Sequence, residues 1–232
     1  MTYTLAADGW DVPVPIHVRA PGGPAAQVVL MFHHRTGLDA FTEDAAARLT
    51  ATGALVVIPE LFAGMPAGLE PDEYKSRLHD DPVIDLTRML VADTGTRFGL
   101  GRPAAIGFCL GGRLALLAAA ADTGVRRASC FYGGATQVGW HSPLSPIDRL
   151  AGGGGVPVQL HRGNRDSAVT AESELAAVQA ADATGTPLEA CVYAGARHAF
   201  CNASDPLRYH SYATERAWAN ALSFLAMEEV LA

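Results

Sequence analysis

The chain has 232 residues, 49% of them hydrophobic and 18% charged, with a formal net charge of −7. That is enough apolar material for one larger α/β domain spanning residues 1–232, and it excludes a disordered chain. Lys and Arg are nowhere clustered, which excludes a nucleic-acid footprint, and the most apolar stretch, residues 104–120, is broken by Arg113 and too short to span a bilayer.

Residues 1–10 carry no basic region followed by an apolar one, so no signal peptide is expected. Residues 12–19 read as an antiparallel edge strand, because Pro13 and Pro15 each remove a ladder donor. Residues 27–32 (QVVLMF) form a continuous apolar run, as in a strand buried on both faces. Residues 39–52 have a helical pattern, with Asp39 as N-cap and Gly53 as the stop. Residues 54–58 (ALVVI) are a second buried strand. Residues 62–71 hold two Gly and two Pro and read as loop, and residues 83–94 read as helix.

Beyond them the pattern predicts a strand at 103–108, a helix at 110–121 and strands at 127–132 and 156–161. A helix follows at 171–183, capped by Thr170, then a strand at 188–193 and a last helix at 212–227. The run Gly152–Gly155 resembles a linker, but the pattern continues across it unchanged. Strands alternating with helices imply right-handed crossovers and a mostly parallel, twisted sheet with helices on both faces. Ligands then bind beyond the carboxyl ends of the strands.

Three strand ends carry reactive residues. Cys109 follows the strand at 103–108, Asp166 follows the strand at 156–161 in HRGNRD, and His198 follows the strand at 188–193 in AGARHAF. Nucleophile, acid, histidine is the chain order of α/β-hydrolases, and Gly107-Phe108-Cys109-Leu110-Gly111 has the form of their nucleophile elbow with Cys in the Ser position. A sharp strand-to-helix turn leaves no room for side chains at Gly107 and Gly111, and Gly112 lets the helix approach the sheet. The turn places the thiol at a helix N-terminus, where free amides and the helix dipole favour a thiolate. The amide of Leu110 is one candidate oxyanion donor, and that of Arg35, after the strand at 27–32, is the other. Cys130 and Cys191 read as core, and Cys201 as structural although near His198. None of the four cysteines has framework spacing, so free thiols in a reducing cytoplasm are expected.

GFCLGG, RGNRD and ARHAF, with HHRTGLDAF and IPELFAG earlier in the chain, resemble the dienelactone hydrolase (carboxymethylenebutenolidase-like) family from about residue 27 to the last helix. The resemblance implies an α/β-hydrolase fold and a triad of Cys109 as nucleophile, His198 as base and Asp166 as its orienting carboxylate. It also implies hydrolysis of a cyclic enol ester, with no metal or organic cofactor.

This sequence departs from the family pattern at three places. A Gln-Glu pair whose glutamate helps generate the thiolate reads His33-His34 here. An arginine for the substrate carboxylate, four residues past the histidine, reads Asn202. A second such arginine falls near Tyr74, Lys75 and Arg77. A less charged lactone or ester therefore fits at least as well as the anionic dienelactone.

Adjacent histidines on an extended segment point to opposite faces, so His33 and His34 do not readily share a metal, and His34 is expected to face the pocket. Tyr132 and Trp140 are candidate pocket walls, while Arg35, Arg165 and Arg197 are the local positive charge. The expectation is a cytoplasmic cysteine hydrolase, monomer or homodimer, whose partner is a small lactone or ester. A thiol-dependent isomerase or cyclase on the same fold, or a non-catalytic ligand-binding protein, stands as the alternative.

Overall fold

The computed structural model describes residues 1–227. Its centre is an eight-stranded sheet of β1 (Thr2–Leu5), β2 (Val14–Arg19), β3 (Gln27–Phe32), β4 (Ala54–Pro59), β5 (Ala104–Phe108), β6 (Ala128–Phe131), β7 (Val158–Gly163) and β8 (Leu188–Tyr193). The strand order is β1-β2-β4-β3-β5-β6-β7-β8. The first two pairings are antiparallel and the rest parallel, with Phe32 opposite Gly107 and Gly107 opposite Cys130.

Alternation along the central strands divides the interior into two cores. Val28, Leu30 and Phe32 pack on one face with α3 (Asp80–Phe98), α4 (Leu110–Ala120), α5 (Pro146–Ala151) and α6 (Ala171–Thr184). Val29 and Met31 pack on the other with α1 (Ala40–Thr50) and α7 (Ser211–Ala226). Helix α4 is buried at all 11 residues. That is why its sequence lacks a polar stripe. Asp39 and Thr170 cap α1 and α6 as expected, accepting from the amides of Thr42 and Ser173.

Four elements differ from the sequence reading, which placed no strand at β1. β2 is not the edge, because β1 lies outside it and pairs Thr4 with Pro15. Pro15 accepts from Glu60 N at 2.9 Å on the β4 side, so its missing donor is also on that side and the β1 ladder is intact. The other two are the six-residue helices α2 (Pro71–Ser76) and α5, each with a proline in its first turn and a capping box, Glu70 with Glu73 and Ser145 with Asp148.

Candidate active site

At the end of β5 the chain turns sharply into α4, and Cys109 takes φ 54° and ψ −111°. A non-glycine residue there costs about 1–3 kcal/mol and is held by its surroundings. Cys109 N donates to Phe131 O at 2.9 Å, and its carbonyl accepts from Arg113 N at 3.2 Å. A Cβ on Gly107 would lie 1.9 Å from Gly111 O, and one on Gly111 would lie 2.0 Å from Phe32 O. One on Gly112 would lie 2.4 Å from Phe131 O, so the turn is closed to any side chain at these three positions.

The loops after β7 and β8 bring the other two strand-end residues to the sulfur. His198 Nε2 lies 3.1 Å from Cys109 Sγ, and His198 Nδ1 lies 2.9 Å from Asp166 Oδ2. The Asp166 side chain is wholly buried, and its Oδ1 accepts from Ala168 N at 2.8 Å and Val169 N at 3.0 Å. These bonds fix the carboxylate so that its other oxygen faces the imidazole. The two loops are tied together where Arg165 N donates to Ala196 O at 2.9 Å.

The two side chains shift each other's pKa in opposite directions. Burial alone would raise the Cys109 pKa, but His198, the Leu110 amide and the Arg35 charge outweigh it and hold the thiol below its ordinary value. Burial would likewise lower His198, yet Asp166 and Cys109 together push it up to about 9. Both shifts run in the direction that favours thiolate and imidazolium.

The other residues singled out in the sequence divide into those at the cleft and those away from it. A cavity of about 700 Å³ opens over Cys109 and is lined by Arg35, Lys75, Leu110, Trp140, Arg165, Arg197 and Arg208 among others. An adjoining arm of about 220 Å³ is lined by His34, Tyr132 and Asn202, and it shares Arg35, Cys109, His198 and Arg208 with the first. Tyr74 and Arg77 line neither arm. Tyr74 is turned away, donating to Pro66 O at 3.0 Å and stacking on Phe62, while Arg77 closes the end of α2. It is another face of that short helix, with Asp72 and Lys75, that reaches the cavity.

His34 faces the smaller arm, as expected, but its Nε2 is engaged by Asp39 Oδ1 at 2.8 Å. His33 points the other way, fully buried, with Nε2 accepting from Leu61 N at 3.0 Å and Nδ1 on His34 O at 2.8 Å. Burial lowers its pKa to about 4. Among the described residues no group of three or more His, Cys, Asp or Glu side chains is placed to hold a metal ion.

Tyr132 has φ 41° and is buried, its ring edge-on to His198 at 5.3 Å. Cys130 and Cys201 are buried free thiols, and burial pushes Cys201 up to about 12. Cys191 is only half-buried, because β8 is an edge strand whose outer positions face solvent.

Sequence reasoning assigned no cleft role to four charged lining residues: Asp39, read only as an N-cap, Asp72 on α2, and Asp205 and Arg208 in the segment between β8 and α7. It also missed the buried partner of Arg113. The guanidinium bonds both oxygens of Asp80 at 2.6 and 3.0 Å and lies 3.7 Å over the Trp140 ring. An arginine inside an all-apolar helix was the available signal.

Among known proteins, the model of the dienelactone hydrolase family matches residues 16–228. A carboxymethylenebutenolidase of Pseudomonas sp. (strain P51) is 29% identical over 224 residues, covering 90% of this chain and 88% of that one. A solved structure of a dienelactone hydrolase candidate from Klebsiella pneumoniae subsp. pneumoniae superposes with a TM-score of 0.84 at 23% identity, covering 98% of this chain and 99% of that one. A dienelactone hydrolase-like promiscuous phosphotriesterase from metagenomic libraries gives 0.75 at 17% identity, covering 97% and 98% of the two chains. With the eight-stranded, mostly parallel sheet and a sharp strand-to-helix turn at Cys109, these likenesses assign the chain to the dienelactone hydrolase family of α/β-hydrolases.

Proposed function

We propose that this hydrolase opens a small lactone or ester through a thioester on Cys109. The observation that carries the reading is the alignment of Sγ, imidazole and carboxylate, with 3.1 Å and 2.9 Å between successive atoms at the mouth of a cavity. The Cys109 thiolate attacks the substrate carbonyl carbon. The amides of Leu110 and Arg35 hold the oxyanion that forms. The C–O bond of the ester breaks, and the leaving oxygen takes the proton that His198 carries. The acyl group is now a thioester. His198 then removes a proton from water, which attacks the thioester carbonyl, and the C–S bond breaks to regenerate the thiolate. The released acid loses its proton to solvent. Asp166 holds the imidazole tautomer and stabilises its charged form throughout.

Thiolate formation in this scheme needs no glutamate beside the sulfur. His34 occupies the position of the family's glutamate, but its Nε2 is paired with Asp39, so it acts as a fixed wall of the cleft. His198 alone receives the thiol proton.

The test is hydrolysis of cis- and trans-dienelactone, a neutral γ-lactone and p-nitrophenyl acetate by wild type and Cys109→Ala. At least one substrate is turned over by wild type, and the variant loses about 10³-fold or more in kcat while keeping its fold. Equal turnover by the variant would sink the mechanism.

A further inference from the structure

We infer that the open edge of β8 is a self-association surface. It pairs antiparallel with β8 of a second copy of this chain, so that the sheet continues through a two-fold axis at Cys191. The inference goes beyond the hydrolase reading above and does not depend on it.

β8 ends the sheet, with β7 on one side and no strand on the other among the described residues. Its six residues pair with β7 without interruption, from Val158 opposite Leu188 to Gly163 opposite Tyr193. Soluble sheets blunt such an edge with a proline, a lysine, a bulge or a very short strand. The sequence of β8, LEACVY, offers no such device, whereas the opposite edge, β1, is only four residues long. The carbonyls of Pro187 and Tyr193 accept from Val158 N and Asn164 N on the β7 side. Alternation then turns the amides and carbonyls of Leu188, Ala190 and Val192 toward the open side, where another strand can bond them.

Exposure and charge indicate what covers this edge. Val192 is 49% exposed and Tyr212, at the start of α7, is 73% exposed. Both line a groove of about 310 Å³ together with Cys191, Tyr193, Arg216 and Asn220. Asn220 Nδ2 donates to Tyr193 Oη at 3.2 Å, and Cys191 Sγ donates to Glu189 Oε1 at 3.5 Å. Residues 189, 191 and 193 therefore share the α7 face of the sheet. Glu189 is exposed and has only neutral partners in its own chain, Gln159 and Cys191. Arg216 is also exposed, and no ion pair or side-chain hydrogen bond engages its guanidinium among the described residues.

Antiparallel pairing through Cys191 sets Ala190 opposite Val192 of the second copy in a hydrogen-bonded pair, and the reverse. It also sets Glu189 opposite Tyr193 of the second copy, on the α7 face of both. Each Glu189 carboxylate thereby reaches the groove that holds the other copy's Arg216, and the two-fold axis repeats the ion pair. An unrelated extended segment would meet the backbone groups of the edge without this match of charge. The loop that carries His198 leaves the end of the same strand, so pairing also holds the base of that loop.

Sedimentation velocity of the full chain over a range of concentrations reads the association. Wild type is expected to form a dimer at micromolar concentration. Arg216→Glu should raise its Kd about tenfold or more, and Glu189→Arg/Arg216→Glu, which restores the pair in reverse, should recover most of the affinity. Val192→Pro removes an outward amide that β7 does not use, and is expected to give a folded monomer by circular dichroism. A wild type that stays monomeric at every concentration overturns the inference, as does a dimer that Arg216→Glu leaves unweakened.

Cross-linking reads the register. Opposed residues of a non-hydrogen-bonded antiparallel pair lie about 4.5 Å apart between Cα atoms, within reach of a disulfide. Mild oxidation with diamide should join Cys191 to Cys191 of the second copy, identified by peptide mass, while the buried Cys130 and Cys201 stay reduced. A dimer in which Cys191 remains unlinked overturns the proposed pairing.

Discussion

Cys109 is held at a strained backbone angle with its sulfur 3.1 Å from an imidazole. Its thiol pKa lies below the ordinary value, so the thiolate is present above that depressed pKa and is lost as pH falls through it. Removing His198 removes the stabilising cation and the acceptor while the burial remains. In His198→Ala the pH profile of Cys109 alkylation should therefore move upward, and the rate at pH 7 should fall about tenfold or more. An unmoved profile would show that the helix terminus alone sets the thiol. At this scale the sequence was most legible where a residue's position follows from its strand, as for Cys109, Asp166 and His198. It was least legible where a long loop chooses the partner. The pairing of Asp39 with His34, the approach of α2 that sets Asp72 beside Arg35, and Arg208 at the cleft depend on tertiary placement that no local pattern encodes.

The turn from β5 into α4 works as one element, and its tolerance is set by backbone contacts. A methyl group at Gly111 would meet Phe32 O at 2.0 Å, with no flexible side chain to yield. Gly111→Ala should therefore destabilise the fold by about 3 kcal/mol or more and slow Cys109 alkylation, whereas Gly154→Ala, with nothing within 4 Å of its Cβ, should cost less even at its φ of 82°. Urea unfolding of the two variants checks the difference. The same helix is anchored by Arg113, whose guanidinium also donates to Ala135 O and Val138 O and so ties the loop under Trp140 to the nucleophile helix. Arg113→Ala leaves Asp80 buried and uncompensated, and about 3–5 kcal/mol of stability should be lost. Loss below 1 kcal/mol would mean that water reaches the site readily. Long apolar strands and the capped helices α1 and α6 were legible because period and cap agree. The strand β1 was not, since an alternation over only four residues is too short to stand out, and α2 and α5 were announced only by their Pro-containing capping boxes.

Across the whole molecule, two buried neutral imidazoles couple the fold to pH. His33 titrates at about 4 and His161 at about 3, both lowered by burial, against about 6.5 when unfolded. Their contribution is fully present above the unfolded value and is lost as pH falls toward the folded values. Unfolding then takes up about two protons, a slope of about 2–3 kcal/mol per pH unit between pH 6 and 4. Urea denaturation at several pH values should show it, and a His33→Gln/His161→Gln variant should flatten the slope; a slope unaltered in that variant would place the acid sensitivity elsewhere. The mostly parallel sheet and the helices on both its faces follow from the alternation of strand and helix, so the strand ends where the reactive residues lie were legible before the cleft lining was. The proposed reaction passes through a covalent acyl group on Cys109. The most direct measurement is intact mass and peptide mapping of the protein quenched with acid during turnover of p-nitrophenyl acetate. The expected result is one acetyl group on the Cys109 peptide in wild type and none in Cys109→Ala. An acetyl group on another residue, or steady turnover by Cys109→Ala, would contradict it.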